Sequence, residues 1–556
     1  MKNWPTVKVL FLFFLLGIGQ QSLAQEAKDS LVSEVSTVAA LGTKGYLPHW
    51  LSANQYGKLN AWENDGYLRF KNTYNYSLNS DFNIELGLDM LAKQRLEESY
   101  FHQYYLKAKY KGWEFRLGRM EQALAEYGEG LTTGSYILSS NARPFEKVGF
   151  GLFDYWDVPF TKGYLQIKGA MQQGWMKQEW SYGNWRASSV HEKFAYLQIG
   201  NLPVRPYAGL NHVVMYNGVD KNGIKKKNDF WSVFWSKPDA GSGVASESTN
   251  SAGSTNGIFD FGFSFDYKDF EITVYDQKPI VDKSSFSNKF ARNKDHFAGI
   301  WVRSDQKRLV SAFKYEFIKT TYQNGMGTPD PVVIDQEGNR LNSTTGNSGH
   351  LIWNNDGDAA LIKKAYPLET QGMSNEEVWL WTRDTFNNGH RYGGRGDYYN
   401  HAGHNPAYAG RLLGNPLMTS STRMDTYSGE EISLNEIARI GSANNRIIAH
   451  HVGLNGWLSD FVQYRMLVTY SENLGNWNLY GGRFTPNFTP DPDYYFYGGL
   501  TQWYTYFETV FKIPNLKQWE FTTGIAYDFG EITNNFGVNI GVRWSYGTSL
   551  IKDKKK

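Results

Sequence analysis

Between Arg391 and His404 eight residues stand out for their chemistry: two guanidiniums, a carboxylate, two phenols, an amide and two imidazoles. They are Arg391, Arg395, Asp397, Tyr398, Tyr399, Asn400, His401 and His404, with four glycines among them. This set suits the binding of a sugar. Flat aromatic faces pack against the C–H faces of sugar rings, and forked or planar donors satisfy hydroxyls and uronate carboxylates. Glycines let a backbone come close to a ligand. The same residues would serve a structural loop whose polar groups bond to one another. Asp397, His401 and His404 offer metal-ligating atoms, but nothing in their spacing requires an ion and none is expected.

A second group reads as structural. Asn141 and Arg143 lie in Ser140-Asn141-Ala142-Arg143-Pro144, and Asn445 and Arg446 precede the pair His450-His451. Arg143 is expected to pair with an inward carboxylate such as Glu85 or Asp89. Successive strand residues face opposite sides, so His450 and His451 cannot share one metal. Asp491 and Asp493, between Pro490 and Pro492, read as a solvated loop. Enzyme signatures are missing. His191-Glu192 is followed by Ala195 where a zincin helix needs its second His. There is no Gly-x-Ser-x-Gly elbow and no phosphate loop. A non-catalytic protein without cofactors is expected.

The elements that hold these residues follow from composition and periodicity. The chain has 556 residues, 90 of them aromatic, with 56 Gly, no Cys and a mean hydropathy of −0.52. Without Cys there is no disulfide scaffold and no thiolate metal site. The aromatic content argues against disorder. Near-neutral charge argues against a nucleic-acid partner. Only one apolar run exists, Val9–Gly19, which is too short for a spanning helix. Lys2 and Lys8 before it and Ser22-Leu23-Ala24 after it predict a cleaved secretory leader over 1–24. Removing it leaves 55 basic and 55 acidic residues.

Strict alternation decides the architecture. In Phe82–Met90, apolar Phe82, Ile84, Leu86, Leu88 and Met90 alternate with Asn83, Glu85, Gly87 and Asp89. Phe259–Tyr267, Trp519–Phe529 and Phe536–Tyr546 repeat the pattern. Leu68–Tyr76, Tyr104–Tyr110, Trp113–Leu117, Leu165–Met171 and Trp503–Ile513 show it more weakly. One face is apolar and the other is charged or small. Runs of this length match a tilted strand across a bilayer, with aromatics at the ends. Such strands must close, because lipid satisfies no backbone polar group. A soluble β-sandwich or β-helix would also alternate, but the small and charged residues of the polar face suit a watery lumen, and the strongly aromatic last strand near the C-terminus suits an outer-membrane assembly signal. The expected fold class is all-β: a transmembrane outer-membrane barrel of about 18 antiparallel strands, at roughly 30 residues each.

The expected layout is a leader over 1–24 and a periplasmic or lumen segment over 25–65. The barrel follows over 66–547, with a basic tail over 548–556. Short helices are expected to close the periplasmic side or the lumen. Ala27–Leu41 has near-helical apolar spacing, and Met120–Tyr127 reads as a short helix. Ser374 with Glu376 and Glu377 predicts an N-cap for a helix to about Trp381. Asp239–Gly257 and Gln323–Asp358 read as polar loops.

Several motifs resemble the capsule-assembly Wzi family, in the form found among outer-membrane proteins of the Bacteroidetes type. They are Tyr46–Gly57 (YLPHWLSANQYG), Leu131–Ser135 (LTTGS) with Ser140–Pro144 (SNARP), and Gly396–His401 (GDYYNH) with Gly410–Pro416 (GRLLGNP). Asn444–Arg446 with His450–Leu454, and Tyr464-Arg465 with Thr469–Ser471 and Asn473, complete the set. The stretches Ser251–Gly257 and His401–Tyr408 depart from the family pattern and bear on sugar specificity.

The resemblance implies a monomeric barrel of about eighteen strands, seated in outer-membrane lipid by the barrel assembly machinery. It further implies a lectin that binds capsular or other surface polysaccharide and retains it on the cell. A porin or specific channel, or a barrel enzyme acting on glycans or lipids, would share the architecture. Lumen occlusion separates the lectin from the channel.

Overall fold

The computed structural model describes residues 28–549 apart from 177–188, 219–226, 242–246, 248–250, 282–294, 322, 324–355, 379–380, 382–397, 400–403, 405–406, 433–440, 477–494 and 497–498. The expected leader, most of the expected tail, and Arg391, Arg395, Asp397, Asn400 and His401 lie outside the described residues.

Eighteen antiparallel strands form one closed sheet. They are Lys28–Gly42, Asp65–Ser77, Phe82–Lys93, Tyr100–Tyr110, Trp113–Arg119, Glu146–Asp157, Leu165–Trp175, Ser189–Ile199, Val204–Tyr216, Ser254–Tyr267, Phe270–Ile280, His296–Arg303, Ala312–Lys319, Ile447–Ser459, Val462–Asn473, Leu500–Lys512, Trp519–Gly530 and Asn535–Ser549. Each pairs with its neighbours in chain order. The first closes on the last, from Ser30↔Ser549 to Gly42↔Gly537. Among the described residues no helix is long and apolar enough to cross a membrane.

The outward face follows the alternation. Phe536, Ile540 and Tyr546 are exposed, whereas Asn535, Asn539 and Gly541 between them are buried. Phe261, Phe263 and Tyr267 are likewise exposed beside buried Asp260 and Ser264. An apolar band on the outside of a closed sheet is the surface that lipid requires. Several inward charges are paired. Arg69 grips Asp89 with both Nε–Oδ1 (2.9 Å) and Nη2–Oδ2 (2.6 Å), Lys107 bonds Glu85 at 2.9 Å, and Lys147 meets Glu192 at 2.6 Å.

Three sequence expectations change. Lys28–Gly42 is the closing strand, not a helix, so the barrel begins inside the segment assigned to 25–65. Val32, Val35, Thr37 and Val38 are β-branched and stiff at χ1, which suits a pleated surface. The strand also pairs on both edges, with Glu34 turned inward 3.8 Å from Arg69. Met120–Tyr127 is irregular chain. Its one bridge, Leu124 to Leu138, joins it to a later part of the same connection. Third, Arg143 meets neither expected carboxylate, because Arg69 and Lys107 occupy them. Its guanidinium lies 4.0 Å from the Tyr100 ring instead. The cap at Ser374 does form: Ser374 Oγ accepts from Glu377 N (3.2 Å), and Glu377 reaches back to Ser374 N (2.7 Å), a capping box.

The two rims differ. At the rim holding Lys28 and Ser549 the turns are short, from 111–112 to 304–311. At the other rim the connections 43–64, 120–145, 217–253, 320–446 and 474–499 are long, and all the described helices lie in that rim's connections.

The outward assignment of the last strand has a direct consequence. Ile540→Arg puts a cation in the middle of the lipid face, for which the expected loss is about 2–4 kcal/mol. Tyr546→Arg, near an interface, should cost roughly 0–1 kcal/mol. Folding titrations in lipid vesicles check both, and equal costs would contradict this orientation.

Candidate functional site

The lumen is filled by its own long connections. Leu47, Trp50 and Leu51 from 43–64, Leu131, Tyr136, Ile137 and Leu138 from 120–145, and Leu412, Leu413, Leu417 and Met418 from the 320–446 connection form one buried apolar cluster. A polar wall and an apolar plug have to be joined by groups that satisfy both. Glu316 on the wall accepts from Thr132 Oγ1 (2.8 Å), Thr133 N (2.6 Å) and Tyr275 Oη (2.7 Å). His451 donates to or accepts from Thr469 Oγ1 through Nδ1 (2.7 Å), and its Nε2 meets Leu131 O at 2.8 Å. His450, on the opposite face, meets Tyr315 Oη at 2.9 Å. Asp528 accepts from His49 N at 2.7 Å. Gly453 lets the plug touch the wall. A Cβ there would stand 2.4 Å from Leu131 O.

The sequence motifs meet each other inside this plug. Ser139 N donates to Leu413 O (2.8 Å), Ser139 Oγ to Gly414 O (2.6 Å) and Asn141 Nδ2 to Leu412 O (3.0 Å). Asn415 Nδ2 reaches Gly134 O at 2.6 Å. Asn445 donates through Nδ2 to Tyr398 O (2.5 Å) and accepts from Gln323 Nε2 (2.9 Å). Arg446 donates through Nη1 to Leu474 O (3.2 Å). Arg423, on the helix Ser421–Ser428, donates to Leu47 O at 2.6 Å and also to Ala61 O.

Three members of the expected sugar loop are described, and all are buried. Tyr398 Oη donates to Asp295 Oδ2 at 2.7 Å, and its ring meets Tyr136 edge-on at 5.1 Å. The Tyr399 ring lies 5.3 Å from Tyr136. Its hydroxyl fits only because residue 414 is Gly, where a Cβ would come within 1.7 Å. His404 Nε2 meets Glu247 Oε1 at 2.9 Å. The side chains of Tyr398, Tyr399 and His404 face protein in the structure.

Surface chemistry at the long-loop rim comes from residues that local spacing did not single out. A cleft of about 250 Å³ is lined by Asn60, Trp62, Lys93, Tyr100, Arg143 and Arg411, together with Gly57, Leu59, Glu97, Glu98, Ser99 and Ala409. It offers two aromatic rings, three cations and the carboxylates of Glu97 and Glu98. Arg411 is fixed by Leu59 O (2.7 Å) and Asn141 Oδ1 (3.3 Å). Burial, then the like charges of Arg423 and Arg143, pull its pKa down to about 9. Burial and the nearby cations Arg423 and Arg411 also hold His49 well below its ordinary value, so it stays neutral. Elsewhere in the long-loop connections, the helix Phe230–Phe234 exposes Trp231 and, just past its end, Trp235, each 62% accessible. The aromatic run Phe230-Trp231…Phe234-Trp235 was the available signal for them.

Metal ligation has one geometric candidate among the described residues: Asp89, His102 and Glu121, with ligand atoms within 4.8 Å of one another. Their partners are already present. Arg69 holds Asp89, while Lys58 (3.1 Å) and His102 (2.8 Å) hold Glu121. The group reads as an ion-pair network.

No family model and no curated protein matches the chain. Similar solved structures include Wzi of Escherichia coli, an outer-membrane protein involved in group 1 capsule assembly and described as a carbohydrate-binding β-barrel. It is 11% identical over 92% of this chain and 83% of its own, with a TM-score of 0.46. OccK2 of Pseudomonas aeruginosa in complex with glucuronate is 8% identical over 96% and 100%, with a TM-score of 0.44. An anion-selective porin from Comamonas acidovorans is 7% identical over 94% and 100%, with a TM-score of 0.36. The likeness stops at the barrel architecture. The chain is an eighteen-stranded barrel of the outer-membrane type.

The plug should respond to pH through Glu126. Burial, opposed by hydrogen bonds from Ser140 and reinforced by Glu316, raises its carboxyl from an ordinary 4.5 to about 7. A carboxyl whose folded pKa is raised binds its proton more tightly in the folded state, so its contribution favours folding at low pH. That contribution is lost as pH rises from about 4.5 through about 7. Opening of the plug, read by hydrogen exchange of the Leu131–Asn141 amides after correction for intrinsic rate, should increase over that window. Glu126→Gln should flatten the dependence.

Proposed function

We propose that the protein is a non-catalytic outer-membrane barrel that binds capsular or other surface polysaccharide and helps assemble or retain it on the cell. The observation that carries this reading is the filled lumen. An apolar plug with hydrogen-bonded seams leaves little room for a water-filled path. The chemistry exposed at the long-loop rim is what a glycan needs: flat rings beside forked cations. Outer-membrane barrels turn their short connections to the periplasm and their long ones outward, so this rim faces the cell exterior in the proposal.

The motif resemblance to the capsule-assembly Wzi family points the same way. On this reading the chain enters the periplasm behind a cleaved leader and is inserted by the barrel assembly machinery. It works as a monomer in outer-membrane lipid, without cofactor or nucleic acid. The motif residues Asn141, Arg143, Asn445 and Arg446, with Tyr398 and Tyr399, set the plug that supports the glycan-binding rim. Arg391, Arg395, Asp397, Asn400 and His401 remain proposed sugar contacts.

Two measurements on the full-length barrel test the reading. Wild type in a planar bilayer should conduct little, and Tyr399→Ala, which opens a hole in the plug core, should conduct more. Truncating a buried aromatic costs about 3–5 kcal/mol, yet the strand ladder is untouched, so the variant should still insert. Cells lacking the protein should shed their surface polysaccharide, and wild type should restore its retention. A large wild-type conductance together with normal retention in the deletion strain would favour a channel.

A further inference from the structure

The cleft at the long-loop rim is chemically unbalanced. Lys93 in its lining pairs with Asp65, and nearby Lys58 and Arg95 pair with Glu121 at 3.1 Å and with Glu63 and, at 2.7 Å, Glu98. For the arginines of the cleft the balance fails. Among the described residues no carboxylate lies within 4.0 Å of Arg143 or Arg411, or of Arg423 behind them; their recorded partners are backbone carbonyls, an amide and rings. On the barrel wall Arg69, Lys107 and Lys147 each have a carboxylate, while Lys168 has none within 4.0 Å among the described residues and lies 4.2 Å from the Tyr196 ring.

Arg143 is built to present its charge. Its guanidinium lies on the Tyr100 ring at 4.0 Å, and its recorded hydrogen bond, from Nε to Gly57 O, is long at 3.5 Å. The two terminal nitrogens, the edge that grips a carboxylate in a bidentate pair, have no hydrogen-bond partner among the described residues. Arg411 stands in the same cleft, with its guanidinium 5.7 Å from the Trp62 ring. The indole Nε1–H of Trp62 is buried and also lacks an acceptor. Buried donors without acceptors are uncommon, and here a free indole donor and a free guanidinium edge line one cavity.

We propose that this cleft takes an anionic sugar unit, a hexuronate residue of the polysaccharide. Its carboxylate is gripped by the Arg143 fork and offsets the charge of Arg411, while its ring packs against Trp62. Asn60 and Ser99 line the same cleft and suit its hydroxyls. The inference rests on the polysaccharide-binding reading above and adds the charge of the unit that is recognised.

The test uses the full-length barrel in lipid nanodiscs and calorimetric titration. The probes are oligogalacturonate, the same oligomer with its carboxyls reduced to alcohols, neutral dextran oligomers, and the cell's own surface polysaccharide. Wild type should bind oligogalacturonate, and reduction of the carboxyls should weaken binding at least about tenfold, as loss of a charge-assisted pair predicts. Added salt should weaken the first and spare the second. Arg143→Gln should remove the preference, and Arg143→Lys should restore only part of it, because Lys has no fork. Arg143 is half-buried with one long backbone bond, so both variants should keep the wild-type shift between heated and unheated gel mobility. Equal binding of the native and reduced oligomers, or binding of the cell's polysaccharide with none of either oligomer, would overturn the inference and leave polysaccharide binding standing. Failure of wild type to bind any of the four would sink the polysaccharide reading itself.

Discussion

Every backbone polar group at membrane depth must find a partner within the protein. In this chain that requirement is met by thirteen residue pairs between the first strand and the last. Closure fixes the remaining layout. It removes the sheet edges, so the outward side chains can all be apolar. It also fixes the inward side chains as a polar wall around a space that the long connections fill. A single-residue slip at the seam would turn Glu34 to lipid and Val35 to the lumen. The ion pair between Glu34 and Arg543, at 3.8 Å across that seam, lies on its inner side and favours one register.

The plug answers a second constraint. A lumen lined by Glu316, His451, Thr469 and Asp528 cannot be packed with leucines alone, because each polar group would lose its water. The connections therefore meet the wall with backbone amides and short hydroxyls at Thr132, Thr133 and His49, and with a backbone carbonyl at Leu131. They turn Leu47, Leu131, Ile137 and Leu413 toward one another. Buried glycines at 414 and 453 set how closely the layers approach. The LTTGS, SNARP and GRLLGNP segments hydrogen-bond to one another within the plug, through Asn141 to Leu412 O and Asn415 to Gly134 O.

Much of the barrel was legible in the sequence, because a strand between lipid and a polar lumen writes its two faces into alternate residues. Phe82–Met90, Phe259–Tyr267 and Phe536–Tyr546 carry that record without interruption. The first strand does not. Ser33 and Thr37 interrupt its outward face, and Val38 and Ala40 occupy its inward one, so its apolar residues fall near helical spacing. Met120–Tyr127 has no periodic partner in sequence, since its neighbours come from Leu138 and from the walls at Gln103 and Asp260. In the loop around residue 398, local density of aromatic and polar groups suggested a surface. Burial of Tyr398 and Tyr399 depends on Tyr136, Asp295 and Gly414, which lie far away in the chain.

The rim cleft was hidden for the same reason. Trp62, Tyr100, Arg143 and Arg411 come from four different connections or strands, and only closure brings them to one place. What sets them apart is visible only against the remainder of the molecule. Arg69, Lys107 and Lys147 on the wall are neutralised by carboxylates within the protein, as a low-dielectric interior favours. Arg411 is buried equally deeply, yet its neighbours are a carbonyl, an amide and other cations, and its proton affinity falls accordingly. Glu97 and Glu98 line the same cleft, yet neither lies within 4.0 Å of Arg143 or Arg411, and the Arg143 fork stays open to an anion from outside.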